Sequence, residues 1–221
     1  MPSHKIHIYI EEQLNKKLKL DEDLFKLGNV LPDLVKGKHS VGHFKVSKAI
    51  YDFDTFINNY RNELEKKNPI ALGYLIHLLV DEYYNRYIRE KYFVYGDDSL
   101  PCGINKNNKI IYMDRDKIFD LKHEDLENYD IHLLKTYKFI PFQKESLKTN
   151  LFDVDQNEID KYIKIYNHDI TNVDNLKENE YQFLDKEELT DLISKTIIYV
   201  EEYLKKNILE KSNKMYYTYS V

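Results

Sequence analysis

The chain has 221 residues, of which 42% are hydrophobic and 14% aromatic, a composition typical of a folded protein with a substantial core rather than a disordered segment. Its net charge of −5 predicts no overall attraction to nucleic acid, so no nucleic-acid partner is expected. The single cysteine excludes an internal disulfide, and the sequence shows neither a signal-peptide core nor an apolar run of about 20 residues. We therefore expect a cytoplasmic protein, and peripheral contact with a membrane is left open.

Apolar residues recur at helical spacing along most of the chain, which predicts an all-α fold, a single-domain multi-helix bundle over residues 1–221. A first helix is predicted at about 4–19 and a further helical stretch at 45–67. Residues 26–44 are predicted to form a loop between them, because glycine and proline interrupt this segment repeatedly. The interrupting residues are Gly28, Pro32, Gly37 and Gly42.

A central helix is predicted to begin after the N-cap Asn68, with Pro69 in its first turn, and to extend to about residue 92. It is apolar on nearly every side, which is typical of a helix buried in a core. After it, "CGINKNNKIIYM" (102–113) fits either a small hairpin around a polar turn or a loop.

The second half of the chain contains a weak helical pattern at 123–139 and two helices with recognisable starts. Asp155 with Glu158 and Asp185 with Glu188 have the spacing of an N-cap and its N3 partner. These pairs predict helices at about 156–166 and 186–209.

His77 and Asp81 lie four residues apart on the central helix, so their side chains share one face. A buried carboxylate is costly without a partner. Three kinds of partner meet this requirement: the histidine itself, a lysine or arginine from elsewhere in the chain, or a metal ion.

Further candidate ligands lie in other segments, where Asp33 follows a proline in the predicted loop. Imidazole and carboxylate groups are the ligands that Zn²⁺ and similar divalent ions use. Each residue alone also has an explanation without a metal, such as a hydrogen-bonded His–Asp pair, a turn cap or a surface histidine. Together they indicate a metal site, while the residues by themselves leave both explanations open. The set comprises His7, Asp33, His43, His77 and Asp81.

Four stretches of the sequence together resemble the zinc-dependent phospholipase C family, whose all-helical fold is shared with fungal single-strand nucleases. The stretches are "MPSHKIHIYIEEQL", "LGNVLPDL", "GHF" and "LGYLIHLLVDEYYN", all within about the first 90 residues. The resemblance implies a metal site between the N-terminal helix, the Pro-Asp loop and the buried central helix. It makes the five residues of the set metal ligands, with His4 and His39 as the nearest substitutes.

The chain also departs from the family pattern. The secreted phospholipases begin with a tryptophan whose amine binds metal, and this chain contains no tryptophan. Where the family has a further histidine six residues beyond the helix aspartate, this sequence has Tyr87. The only match to the later His-x-x-x-Glu pair is His123 with Glu127, in so polar a segment that we interpret it as a solvated helix face. One or two ions, most simply Zn²⁺, are therefore expected.

The function expected from the resemblance is that of a metal-dependent phosphoesterase, a hydrolase acting on a phospholipid-like ester or a small phosphodiester or monoester. A divalent ion lowers the pKa of bound water from about 15.7 to about 7, so that activated water attacks phosphorus. Asp33 is the expected catalytic carboxylate, because it can bridge two ions or accept the proton of the attacking water.

Two alternatives of other classes remain. One is a metal phosphohydrolase of the HD type, indicated by His168-Asp169, for which His132 and Asp191 would supply the remaining ligands. The other is a non-catalytic helical protein that has kept the fold with a residual metal site, which the missing later ligands favour.

Overall fold

The computed structural model describes residues 2–47, 50–106 and 108–209, and within them the chain is mainly helical. A short π-helical turn, Lys205–Leu209, follows the last α-helix. In chain order the helices are α1 (His4–Leu18), α2 (Glu22–Leu34), α3 (His39–Gly42), α4 (Phe53–Asn59), α5 (Arg61–Glu65), α6 (Pro69–Tyr92), α7 (Arg115–Thr136), α8 (Gln156–Asp169) and α9 (Lys186–Leu204).

The central helix α6 begins where the sequence predicts. The Asn68 side chain accepts hydrogen bonds from the backbone N–H groups of Ile70 and Ala71, at 2.9 and 3.3 Å, and Pro69 occupies the first turn. From Ile70 to Asp81 every residue of α6 is buried. Helices α1, α2 and α9 pack around it, so any polar side chain on this part of α6 faces protein rather than solvent.

Helices α2 and α6 cross at very short distance because each contributes a glycine at the crossing. A Cβ added at Gly28 would lie 2.2 Å from the carbonyl oxygen of Ile70, and one at Gly73 would lie 2.3 Å from that of Phe25. Real side chains cannot occupy such positions, so the crossing requires glycine on both helices. This contact holds the C-terminal end of α2 beside the middle of α6.

The predicted loop over 26–44 is wrong in its first half, since α2 continues through Gly28 and Pro32 to Leu34. Asp33 therefore lies in the last turn of a helix rather than in a loop. Proline removes one backbone hydrogen bond, but α2 buries a wide apolar face against α6, and such packing outweighs local propensity. The second half, from Val35 to Phe44, is irregular apart from the short α3.

The helical stretch predicted at 45–67 is also only partly correct. Lys45 and Tyr51 instead form an isolated antiparallel bridge, and helix begins only at Phe53, in the two short segments α4 and α5. Residues 48 and 49 lie outside the described residues. The bridge matters for the site below, because it directs Tyr51 towards α6.

Of the two structures left open for residues 102–113, the hairpin is the one observed. It belongs to a three-stranded antiparallel sheet, β1 (Phe93–Tyr95), β2 (Pro101–Lys106) and β3 (Lys109–Tyr112), so the fold is mainly rather than entirely helical. Gly103 pairs with Tyr112 and Ile104 with Ile111. Strand β1 continues directly from α6, which places the sheet at the C-terminal end of the central helix.

The three late helices are confirmed with shifted bounds. The helix predicted at 123–139 begins earlier, at Arg115, and ends at Thr136. Asp155 caps α8 by accepting a hydrogen bond from the N–H of Asn157 at 2.9 Å. At the start of α9 the Glu188 carboxylate accepts from the N–H of Asp185 at 3.2 Å, as the capping pair predicts. No helix within the described residues is long and apolar enough to cross a lipid bilayer.

Candidate metal centre

The five residues selected from the sequence meet at one place between α1, α2 and α6. His7 comes from α1, Asp33 from the last turn of α2, His43 from the residue after α3, and His77 and Asp81 from α6. Two groups of three have all their ligand atoms within 4.8 Å of one another: His7, His77 and Asp81 in one, and Asp33, His43 and His77 in the other. His77 belongs to both groups, so together they form one continuous cluster.

His43 and His77 direct their Nε2 atoms towards each other. Nδ1 of His43 lies 2.9 Å from the carbonyl oxygen of His39, and Nδ1 of His77 lies 2.7 Å from that of Asn29. A carbonyl only accepts, so each Nδ1 donates, and Nε2 is the nitrogen of each ring that is left to bind a proton or an ion. The two Nε2 atoms are 3.1 Å apart, a distance that a shared proton or a metal ion can bridge.

His7 and Asp81 form the inner, fully buried side of the cluster. The His7 ring stacks on that of His77, with centroids 4.0 Å apart, and its Nε2 lies 3.4 Å from Oδ1 of Asp81. Within the described residues neither ring nitrogen of His7 makes a hydrogen bond of suitable geometry, and nor does Oδ1 of Asp81. Buried polar atoms without a hydrogen-bond partner destabilise the folded state, and a bound ion is one kind of partner that would satisfy them.

Asp33 forms the outer side of the cluster and is 15% exposed. Its Oδ1 lies 3.3 Å from Nε2 of His43, and its Oδ2 lies 3.1 Å from Nε2 of His4. His39, whose ring stacks on His43, approaches Oδ1 at 3.7 Å. The two substitute histidines named from the sequence, His4 and His39, therefore contact Asp33 as well and are exposed at the mouth of the cluster.

The distances within the cluster fit a metal ion. Zinc bonds of 2.0–2.1 Å place two ligand atoms of one ion at most about 4.2 Å apart. The separations of 3.1 Å between the two Nε2 atoms, 3.3 Å from His43 to Asp33 and 3.4 Å from His7 to Asp81 all lie within that limit. The described structure thus contains His/Asp groups that could hold a metal.

The two carboxyl groups of the cluster favour their ionised forms. Burial by itself opposes the charged forms of Asp33 and Asp81, but the neighbouring histidines, chiefly His4 and His43 at Asp33 and His7 at Asp81, outweigh it and lower the pKa of both carboxyl groups. Burial lowers the pKa of His77 well below its ordinary value, and the neighbouring His7 acts in the same direction. The cluster therefore combines carboxylates with a neutral imidazole on His77.

Three further residues lie around Asp81, and two of them, Tyr51 and Lys45, could not be found by sequence reasoning. The Tyr51 hydroxyl donates to Oδ2 of Asp81 at 3.2 Å, the Asn85 side chain hydrogen-bonds to Tyr51, and Nζ of Lys45 lies 3.9 Å from Oδ2. Tyr51 and Lys45 come from the irregular segment before α4, where no periodicity or motif marks them. Asn85, one turn beyond Asp81 on α6, was the one residue whose spacing could have indicated a supporting role.

The other candidate residues lie elsewhere. His123 and Glu127 are both exposed on α7, as expected of a solvated helix face. His168 is 73% exposed and its Nδ1 lies 3.7 Å from Asp169 at the end of α8. His132 instead approaches Glu178, and Asp191 pairs with Lys195 on α9. None of these six residues belongs to a group of potential metal ligands in the described part of the chain.

Comparison of the chain with protein-family models, with curated proteins and with solved structures finds no match. What the fold and the site define is a mainly helical protein with a buried cluster of three histidines and two aspartates whose donor atoms converge.

Proposed function

We propose that the protein is a metal-dependent hydrolase that acts on phosphoesters. The observation that carries this proposal is the pair of Nε2 atoms of His43 and His77, 3.1 Å apart, with carboxylate oxygens of Asp33 and Asp81 at 3.3 and 3.6 Å from that of His43. An arrangement of neutral imidazoles and carboxylates around one point is the donor set that Zn²⁺ prefers. The proposed ligands of one or two ions are His7, Asp33, His43, His77 and Asp81.

A divalent ion at this cluster would supply Lewis acidity, lowering the pKa of a water to about 7 and neutralising phosphoryl oxygens. The protein's own residues then have distinct tasks. The carbonyl groups of His39 and Asn29 hold the His43 and His77 rings with Nε2 towards the cluster. Tyr51 fixes the orientation of Asp81 by its hydrogen bond to Oδ2.

Asp33 is the proposed catalytic residue, because it is the carboxylate of the cluster that is reached from outside. Asp81 is fully buried, whereas Asp33 is 15% exposed and contacts the exposed His4 and His39. In this position its carboxylate can accept the proton of the attacking water, and His4, 3.1 Å away, can hold the carboxylate in place. The scissile phosphoryl group would approach from the same side.

The test is a metal analysis followed by an activity assay. Protein purified without added metal should contain at least about one equivalent of zinc or another transition metal, and it should hydrolyse p-nitrophenyl phosphate or bis-p-nitrophenyl phosphate. A chelator should remove the activity and zinc should restore it. A content below about half an equivalent that does not rise on incubation with zinc would overturn the proposal. Full metal content without hydrolysis would instead indicate the non-catalytic alternative.

A further inference from the structure

A cavity of about 1080 Å³ lies directly beside the proposed metal centre. His39 and Lys45 line one end of it, and these residues also contact Asp33 and Asp81 of the cluster, at 3.7 and 3.9 Å. The cavity is therefore continuous with the mouth of the cluster. Its size is that of a pocket for a small organic ligand rather than for a single phosphate.

Two helices contribute to the lining of this cavity, each with a cation and an apolar residue. On α7, Arg115, Phe119 and Lys122 follow one another at spacings of four and three residues. On α6, Ile88 and Arg89 face the cavity, and Phe93 continues the wall into β1. The walls thus combine positive charge with an aromatic and aliphatic surface.

Both of these helices supply cations to the lining. Lys122 is buried on α7. Arg115 lies seven residues earlier on the same helix, a distance of about 10 Å along the helix axis. Arg89 comes from α6.

Among the described residues, the lining of the outer cavity carries more positive than negative side chains. Its one acidic residue in this part of the chain is Asp116, which is 85% exposed and lies 3.4 Å from Arg115. Nε of Arg89 donates to the backbone carbonyl of Asn85, and no carboxylate in residues 2–47, 50–106 and 108–209 lies within ion-pair distance of the Arg89 guanidinium. If one divalent ion neutralises Asp33 and Asp81, a phosphoryl group at the metal leaves Arg89 without a carboxylate partner among the described residues and Arg115 with the exposed Asp116 alone.

We propose that the cavity binds a second anionic group of the substrate, separate from the scissile phosphoryl group, with Arg89 and Arg115 as its partners. Phe93, Phe119 and Ile88 would pack against an apolar or aromatic portion that joins the two groups. This inference rests on the proposed function, and it defines the substrate class as an organic phosphoester that carries a further phosphate or a carboxylate. Both groups offer the planar or forked oxygen pairs that guanidinium binds.

The first test is a binding measurement that does not depend on turnover. Naphthalene-2-sulfonate has an anionic group on an aromatic body and no ester bond, and it is titrated calorimetrically into the purified full-length protein before and after chelation of the metal. Wild type should bind it in both states, and Arg89→Gln and Arg115→Gln should each weaken binding about tenfold, the loss of one charge-assisted hydrogen bond. Neutral 2-naphthol should bind more weakly than the sulfonate.

The control is Arg86→Gln, which removes an arginine of the same helix that pairs with Glu82 at 2.7 Å outside the cavity. It should leave sulfonate binding unchanged. Equal affinity of all three variants and wild type would overturn the inference, and so would binding that disappears on metal removal. If the arginine variants bind the sulfonate as wild type does but the protein contains metal, only this inference fails and the proposed function stands. If the protein binds the sulfonate as expected but takes up no metal, only the proposed function fails.

The second test distinguishes the two kinds of anionic group. Phosphate release is measured from phenyl phosphate, 1,4-phenylene bisphosphate and 4-carboxyphenyl phosphate. The second phosphate or the carboxylate should lower KM about tenfold in wild type but not in Arg89→Gln, and the larger reduction identifies the preferred group. Equal KM values for the three esters in wild type would contradict a second anion site.

Discussion

At the scale of single residues, the two carboxylates of the cluster have the same chemistry but different surroundings. Asp81 is enclosed by His7, Tyr51 and Lys45, and solvent does not reach it. Asp33 faces the mouth of the cluster and is 15% exposed. An inner carboxylate is suited to hold an ion, and an outer one to handle a proton that has to leave for solvent.

Replacing Asp33 by asparagine should reduce phosphoester hydrolysis at least about 100-fold, because the amide cannot accept a proton and is a poorer metal ligand. The helical circular dichroism spectrum should be unchanged, since Asp33 lies in the last turn of α2. Asp169→Asn, at a half-buried carboxylate on α8 that pairs with Lys5 outside the cluster, should leave turnover intact. Retention of activity by Asp33→Asn would show that the role assigned to this residue is wrong.

His77 is the residue whose loss should damage metal binding most, because it belongs to both groups of potential ligands. His77→Gln should weaken zinc affinity at least about 100-fold, measured by competition with a chromophoric chelator, since a ligand is lost rather than a supporting contact. His39→Gln, at the exposed mouth, should have a smaller effect. His168→Gln, at a distant exposed histidine, is the control, and an equal loss in all three variants would contradict a localised site.

At the scale of secondary-structure elements, the site depends on how closely α2 and α6 approach. The backbone of each helix occupies the space that a side chain would need at Gly28 and Gly73. This places Asp33, at the end of α2, beside His77 on α6. A change at the crossing therefore affects the cluster although neither glycine touches it.

Gly73→Ala should lower the free energy of unfolding by about 3 kcal/mol, because its Cβ would meet the Phe25 carbonyl oxygen at 2.3 Å and the helices would have to separate. Zinc affinity should fall with it, as the ligands on α2 and α6 move apart. Chemical denaturation and metal titration measure the two effects. Gly96→Ala, where the nearest atom is the end of the flexible Asp98 side chain at 3.2 Å, should cost less than about 1 kcal/mol. Equal stability of the two variants would contradict the tight crossing.

At the scale of the whole molecule, the start of α1 is joined to α7 by one hydrogen bond. The Ser3 hydroxyl, which caps α1 by accepting from the N–H of Ile6, donates to the Asp130 carboxyl group. Burial raises the pKa of Asp130 from 3.8 to about 6, although the hydrogen bond from Ser3 and the charge of Lys5 act in the opposite direction. Folding therefore favours the protonated form of this group.

The consequence is a stability that decreases with rising pH. Between pH 3.8 and about 6 the unfolded chain has lost the Asp130 proton while the folded chain retains it, so the free energy of unfolding falls across this window. Asp130→Asn should remove the part of that fall due to Asp130 and stabilise the protein at pH 7 by about 3 kcal/mol relative to wild type. Denaturation at pH 4, 5, 6 and 7 measures the change, and Asp120→Asn, exposed on the same helix, should reproduce the wild-type profile.

Features governed by neighbours along the chain could be predicted from the sequence. The start of α6 at Asn68 and Pro69 follows from capping chemistry, and the shared face of His77 and Asp81 follows from the helical repeat. That His7 and His43 would lie near this face was predicted from the family resemblance and from the candidate ligands taken together. The structure brings these residues together with His77 and Asp81. The loop predicted around Asp33 was wrong because the local propensity of Gly28 and Pro32 contains no information about packing against α6, which begins about forty residues later in the chain.

The sequence by itself determined where α1, α6, α8 and α9 begin and that a histidine and an aspartate would be buried together on α6, because these depend on residues within a few positions of each other. Only the tertiary structure decided that Tyr51 and Lys45 reach Asp81, that α2 stays helical through a proline, and that Arg89 and Arg115 line the same cavity. These contacts join segments far apart in the chain, and the close approach of helix backbones and the burial of charge exist only once those segments have packed.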